Sequence, residues 1–244
     1  EQEQSAGVRA YDLVVAGTIP TEGELEQRRG AVPATAVRAC GEIIELMVER
    51  PAMGFTQACD IVVGSGMGGA DQWRLLKLMW RYVTDAVNRR RRVALLTAMQ
   101  GVRTAVFGPE VWREFCTGTL EYRGEVGYGG VAGAMRCGRV CLAWNPTQFV
   151  HSWSERVLLA MAAGCAAVTD DRLLVRRELG DAVALFDAGD PRSARAAVDG
   201  LIGDVLAQHG QLDGLLNVAG IIQPFLPLEE LSIEAIAKVM NVNF

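Results

Sequence analysis

The residues best suited to chemistry are polar groups at the predicted beginning of a helix and at the end of the strand that follows it. Ser152 and Glu155 have the S-x-x-E spacing of a capping box, in which two side chains close the first turn of a helix. Residues 157–163 are all apolar, Gly164 stands where a helix would end, and Asp170 follows the next apolar run. Ligands of α/β proteins bind at the carboxyl ends of the strands, and a helix N-terminus attracts anions. This stretch therefore predicts a site for a phosphate-bearing ligand.

The stretch from position 145 to position 170, NPTQFVHSWSERVLLAMAAGCAAVTD, resembles the donor-binding region of GT-B glycosyltransferases of the bacterial "glycosyltransferase family 1" group. The shared features are an Asn-Pro, a His-Ser or Gly-Ser pair, a Glu-Arg, and an Ala-Met-Ala-Ala-Gly run before a strand. Many GT-B enzymes carry two glutamates eight positions apart, and His151 and Leu159 stand at those positions here. The resemblance extends from about residue 10 to about residue 200.

This resemblance implies that the chain binds a nucleotide-sugar donor and needs no cofactor. Ser152 and the backbone of Glu155 would meet the diphosphate, and Arg156 would neutralise it as the leaving group departs. Asn145 and His151 would line the sugar, so that His151 and Glu155 are the candidate catalytic residues. A simpler alternative is that Ser152 and Glu155 only cap the helix. The resemblance further implies that glycines at the ends of strands and helices bind the donor, namely Gly17, Gly108, Gly124 and Gly164.

The alternation of predicted strands and helices indicates an α/β fold with a doubly wound, Rossmann-like parallel sheet and helices on both faces. Residues 1–195 are expected to form a nucleotide-sugar-binding domain, followed by a C-terminal helix-strand-helix fragment at residues 196–244. GT-B enzymes normally add an N-terminal acceptor domain. We therefore expect the chain to bind its donor, but to need such a domain or a partner chain for catalysis.

The last fifth of the chain, from about residue 195 to residue 244, resembles a different family, the short-chain dehydrogenases/reductases. The family's Asn-Asn-Ala-Gly motif corresponds to residues 217–220, and Asn243 matches the helix asparagine of its catalytic tetrad. In this alternative NAD(P) is the cofactor, Asn243 is catalytic, and Asn217, Ala219 and Gly220 bind the cofactor. The chain contains no Tyr-x-x-x-Lys, so hydride transfer would lack its proton donor. Two alternatives to the glycosyltransferase therefore stay open, a truncated oxidoreductase and a non-catalytic fusion of the two families.

Three further patterns lie between the first strand and the second. Gly64, Gly66 and Gly69 satisfy the G-x-G-x-x-G dinucleotide fingerprint, although a glycine turn between helices is the simpler interpretation. The helix that follows is predicted to bury one face with Trp73, Leu76, Trp80, Val83 and Val87. Arginines 89–92 are predicted to be a solvated helix end, with phosphate binding as the less favoured alternative.

The composition excludes several other classes of protein. A net charge of −5 gives no reason to expect nucleic-acid binding, and no apolar run approaches the length of a membrane span. The six cysteines form no CxxC pair and there are only two histidines, so no metal site is predicted. Cysteines in apolar runs are expected to be reduced core residues, which favours a cytoplasmic protein.

Overall fold

The computed structural model describes residues 9–64 and 70–209. Its centre is a six-stranded sheet in the order β3-β2-β1-β4-β5-β6, in which every neighbouring pair is parallel. The order reverses between β1 and β4, which is the topological switch point of a doubly wound fold. The predicted fold class is therefore confirmed. The strands are β1 (Tyr11–Ala16), β2 (Thr104–Phe107), β3 (Leu120–Gly124), β4 (Gly138–Leu142), β5 (Ala166–Asp170) and β6 (Ala184–Phe186).

Helices connect these strands and cover both faces of the sheet. Short 3-10 turns at Glu110–Phe115, Tyr128–Gly130 and Gly180–Ala182 complete the connections. The α-helices are α1 (Glu22–Gly30), α2 (Ala34–Glu49), α3 (Phe55–Val62), α4 (Ala70–Ala98), α5 (Val131–Met135), α6 (Glu155–Ala162), α7 (Leu173–Glu178) and α8 (Pro191–His209).

Strand residues alternate between two cores, as expected for a sheet buried on both faces. In β1, Leu13 and Val15 pack with α4 and α8, whereas Val14 between them packs with α5, α6 and α7. Ala194 and Val198 of α8 belong to the same core, so the predicted domain boundary between residues 195 and 196 falls inside one helix that packs on the sheet.

A helical layer is inserted between β1 and β2. Helices α1, α2 and α3 pack with the N-terminal half of α4 around a third core, which includes Ile43, Met47, Met79 and Val83. Helix α4 has 29 residues and is therefore roughly 43 Å long, about two to four times the length of the strands. The end of α4, from Val93 onwards, packs on the sheet, and the part before it extends past the carboxyl ends of the strands. The helical layer consequently lies beside the edge at which ligands of α/β folds bind.

One prediction about this region needs correction, and the structure decides between the two interpretations of another pattern. Val83 and Val87 are buried as expected, but Trp73 and Trp80 are 68% and 41% exposed, because the stripe that packs on α2 and α3 includes Met79 and Ala86 instead. The G-x-G-x-x-G pattern lies between helices α3 and α4, as the simpler interpretation predicted, and without a preceding strand it lacks the structural context of the dinucleotide fingerprint. Gly64 has φ of 95°, and residues 66 and 69 lie outside the described residues.

Two buried thiols in the helical layer predict how stability depends on pH. Burial raises the pKa of Cys40 to about 11 and that of Cys59 to about 12, from an ordinary value of 9.0. Unfolded thiols lose protons at a pH where the folded ones keep them, so the free energy of unfolding should fall as pH rises above about 9. Urea unfolding at pH 8 and pH 10 measures this loss. A Cys40→Ala/Cys59→Ala variant should show a smaller loss, and an equal loss in both proteins would contradict the prediction.

Candidate functional site

A buried polar network joins the carboxyl ends of β4 and β5. Asp170, 2% exposed, accepts hydrogen bonds from the backbone N–H of Asn145 (2.7 Å) and from its side-chain amide (2.9 Å). The other carboxylate oxygen accepts from Nε of Arg172, whose side chain is 3% exposed. Arg172 also donates to the carbonyl of Val150 at 3.1 Å. The network therefore fixes the loop that follows β4 against the end of β5.

Asn145 also determines where helix α6 begins. Its side-chain oxygen accepts from the backbone N–H of Ser154 at 2.7 Å, and its amide group donates to Thr169 and Asp170. The N-cap of α6 is Ser154, so the capping box predicted from Ser152 and Glu155 is wrong. These contacts use both amide hydrogens of Asn145 and one acceptor position of its oxygen, and the residue is 8% exposed. Asn145 therefore positions the loop, and its contact with a sugar stays a prediction.

Gly164 ends α6 as predicted, but at the edge of the sheet opposite to this network. It has φ of 76°, which favours glycine, and its N–H donates to Met161 at 2.9 Å. The N–H of Cys165 donates to Ala160 at 3.0 Å, and the two bonds form a Schellman motif. Helix α6 has eight residues and separates Gly164 from the carboxyl edge by roughly 12 Å. Gly164 therefore lies too far away to contact a ligand at the carboxyl edge.

Two indole rings pack against the turn that follows β1. Trp112 is completely buried and donates from Nε1 to the carbonyl of Gly17 at 2.8 Å. A Cβ atom on Gly17 would lie 3.3 Å from the ring of Trp144. Gly108 packs against Gly17 and Trp112, and its N–H donates to the carbonyl of Gly124 at 3.0 Å. The predicted donor-binding glycines Gly17 and Gly108 thus make their close approaches to protein, and not to an open crevice.

An open cavity of about 570 Å³ lies instead at the carboxyl ends of β5 and β6. Its polar lining comes from His151, Arg172, Arg176 and the two carboxylates Asp171 and Asp187, and the loop between α2 and α3 closes one side. The carbonyl of His151 accepts from the N–H of Leu174 at 2.9 Å, which holds the histidine at the cavity. Drug-sized ligands bind in cavities of roughly 300–1,000 Å³, so a ligand of that size fits.

The remaining predicted site residues are placed as follows. Ser152 is partly exposed, Glu155 is exposed at the beginning of α6, and Arg156 is partly buried. Asn217, Ala219, Gly220 and Asn243 lie outside the described residues.

Sequence reasoning missed Arg172 and Arg176. Both line the cavity, and they stand four positions apart across the beginning of α7, a spacing that places side chains on one face of a helix. The pattern of two basic residues at this spacing directly after a strand that ends in Asp170 was the signal available in the sequence.

The arginine run also differs from its prediction. It lies inside α4, which continues to Ala98, so it is not a helix end. Arg89 and Arg92 are each 7% exposed, and both bond to the turn after β1: Arg89 Nη1 donates to Pro20 at 2.6 Å, and Arg92 to the carbonyl of Thr18. Arg90 alone of the four is exposed. Hydrogen bonds from the arginine run therefore hold α4 against the turn after β1.

Comparison of the chain with protein-family models, with curated proteins and with solved structures finds no match in any of the three. Within residues 9–64 and 70–209, no three His, Cys, Asp or Glu side chains are grouped so as to hold a metal ion. In the same part of the chain, no helix combines the length and apolar character needed to cross a membrane.

Proposed function

We propose that this chain is the donor-binding part of a glycosyltransferase and that a nucleotide-sugar binds in the cavity at the carboxyl ends of β5 and β6. The observation that carries the proposal is the presence of His151, Arg172 and Arg176 in one open cavity of about 570 Å³. The resemblance of residues 145–170 to a donor-binding region supports the same location, because His151 and the end of β5 belong to that stretch.

Arg176 is the group through which the cavity would bind an anionic ligand, beside the two lining carboxylates Asp171 and Asp187. Arg172 is committed to Asp170, whereas Arg176 is bonded to the exposed Asp171 and its side chain is 68% exposed. A diphosphate would compete with Asp171 for the guanidinium of Arg176, since arginine binds phosphate oxygens in a fork. In transfer, the same guanidinium would stabilise the charge that develops on the departing diphosphate. His151, on the opposite loop, would contact the sugar.

A classical dinucleotide site receives no comparable support. In such sites the pyrophosphate approaches the glycine-rich turn after the first strand. Here that turn reads Gly17-Thr18-Ile19-Pro20, and Trp112 and Trp144 cover its glycine. The oxidoreductase alternative therefore depends on residues 210–244, which lie outside the described residues.

Isothermal titration with UDP-, GDP- and ADP-sugars tests the proposal. One of these donors should bind with a Kd in the range of about 1 μM to 1 mM, the range usual for enzyme substrates. Arg176→Gln should weaken binding about tenfold, because it removes a charge-assisted hydrogen bond.

Arg177→Gln is the matched control. Arg177 is also 68% exposed and lies on the same helix, but it does not line the cavity, so its replacement should leave the Kd unchanged. The absence of heat with every donor, on a folded sample, would refute the proposed function. Equal weakening by both variants would show that general charge, and not the cavity, attracts the ligand.

A further inference from the structure

A second, much smaller cavity lies between α4 and the carboxyl ends of β4 and β5. Its volume is about 20 Å³, and its charged lining consists of Arg91, Arg92, Arg172 and Asp170. The indole of Trp144 closes one side. Three cations therefore face one carboxylate in a largely buried space.

The carboxylate of Asp170 already accepts hydrogen bonds from other groups. Asp170 binds Arg172 through one oxygen and Asn145 through the other. Among the described residues, Arg91 and Arg92 bond to the backbone carbonyls of Met47 and Thr18, and not to a carboxylate. Carbonyl oxygens carry only partial charge, so the buried guanidinium of Arg92 and the partly buried one of Arg91 keep an excess of positive charge at this cavity.

Three side chains that line the cavity also carry a hydrogen-bond donor that has no acceptor within the described part of the chain. Arg91 Nε, Arg92 Nε and Trp144 Nε1 are buried and make no hydrogen bond within the described part of the chain. Arg92 is 7% exposed and Trp144 is 3% exposed, so bulk water does not satisfy them. Buried donors without a partner are rare in folded proteins, because each one costs the full desolvation of the group.

The volume limits what can satisfy these donors. A single water-sized particle needs roughly 10–15 Å³, so about 20 Å³ has room for one such particle and not for a tetrahedral oxyanion. We propose that this cavity binds a monatomic anion of the halide class, with chloride as the physiological ion. The anion would accept from the three free donors and offset the excess positive charge.

The charge state of the arginines agrees with this assignment. Burial, followed by the repulsion of Arg172, lowers the pKa of Arg91 to about 10, and burial followed by the repulsion of Arg156 lowers that of Arg92 to about 10. Both groups stay cationic at neutral pH. A bound anion would therefore join α4 to the sheet edge, independently of the nucleotide-sugar proposal.

Thermal unfolding in potassium chloride and in potassium gluconate, at equal ionic strength and without nucleotide, tests the site. Gluconate is too large for the cavity. Chloride should raise the Tm by roughly 3–6 °C in a saturable way, which is the shift that a tenfold excess of ligand over its Kd gives a chain of this size. Bromide should act similarly.

Arg91→Gln removes one of the free donors and should abolish the saturable shift. Arg90→Gln is the control, because Arg90 is an exposed neighbour that pairs with Glu45 and does not line the cavity. The line width of the ³⁵Cl resonance provides a second measurement on the unaltered chain: it should broaden with protein and narrow again on addition of bromide. Unsaturable salt effects that are equal in all three proteins, or an unbroadened ³⁵Cl line, would show that only water occupies the cavity and would overturn the proposal.

Discussion

Replacement of Asp170 by asparagine should lower the free energy of unfolding by about 3–5 kcal/mol, the usual cost of breaking a buried ion pair from one side. Arg172, whose side chain is 3% exposed, would remain buried without its carboxylate. The new side chain would also offer a single acceptor to donors from Asn145 and Arg172 that Asp170 now satisfies with two oxygens. Because Asn145 sets the beginning of α6, the loop that carries His151 should loosen as well.

Urea unfolding monitored by tryptophan fluorescence measures this loss. Asp171→Asn is the matched control, since Asp171 is the next residue in the chain but forms an exposed ion pair with Arg176. Exposed pairs contribute about 0–1 kcal/mol, so the control should unfold almost like the original chain. A loss for Asp170→Asn as small as that of the control would mean that the buried network does not hold the two strands together.

Replacement of Gly108 by alanine should cost more than about 4 kcal/mol, which is at the extreme of single substitutions. Gly108 has φ of 148°, a conformation that residues with a side chain rarely adopt. An added Cβ would overlap the carbonyl oxygen of Gly17 and lie 2.8 Å from Cδ1 of Trp112. Neither neighbour can move easily, because Trp112 Nε1 donates to that same carbonyl inside the core.

Gly124→Ala separates the two causes of this loss. Gly124 also has a positive φ, 96°, but a Cβ there would meet no atom within 4 Å. Backbone strain alone should cost about 1–2 kcal/mol. Chemical denaturation of both variants gives the comparison, and similar losses at the two positions would mean that the contact with Gly17 and Trp112 contributes little.

The sheet and most helix ends were predictable because their signals are local. Apolar runs predict buried strands at residues 11–16 and 165–169, and the strands of the structure are Tyr11–Ala16 and Ala166–Asp170. The Schellman motif at Gly164 and the cap of α8, where Asp190 accepts from the N–H of Arg192 at 2.9 Å, follow from residue types within one turn. In each case the residues next to the position in the sequence determine where the strand or helix begins or ends.

The wrong predictions concern positions whose structure depends on residues that are far away in the sequence. Ser152 has the spacing of a cap, but α6 begins at Glu155 because Asn145, bonded to Asp170 on the next strand, accepts from Ser154. Its charge predicts that the arginine run is solvated, but in the folded chain the turn after β1 packs against it and accepts hydrogen bonds from it. A glycine at a strand end suggests close approach by a ligand, yet at Gly17 the group that approaches is an indole from another connection. The residue types around each position are compatible with both the predicted and the observed contacts, so the sequence pattern alone could not distinguish them.

The histidine side chains permit the most direct test of donor binding at the carboxyl edge. The chain has two histidines: His151 lines the large cavity, and His209 ends α8, whose 19 residues begin at the carboxyl edge and extend roughly 28 Å away from it. Imidazole ¹H–¹⁵N correlation spectra, assigned with a His209→Gln variant, should be recorded during titration with the nucleotide-sugar that gives heat. The ring resonances of His151 should shift and saturate at the calorimetric Kd while those of His209 stay in place. Binding that leaves the His151 resonances unmoved would place the ligand elsewhere and contradict the assignment of this cavity.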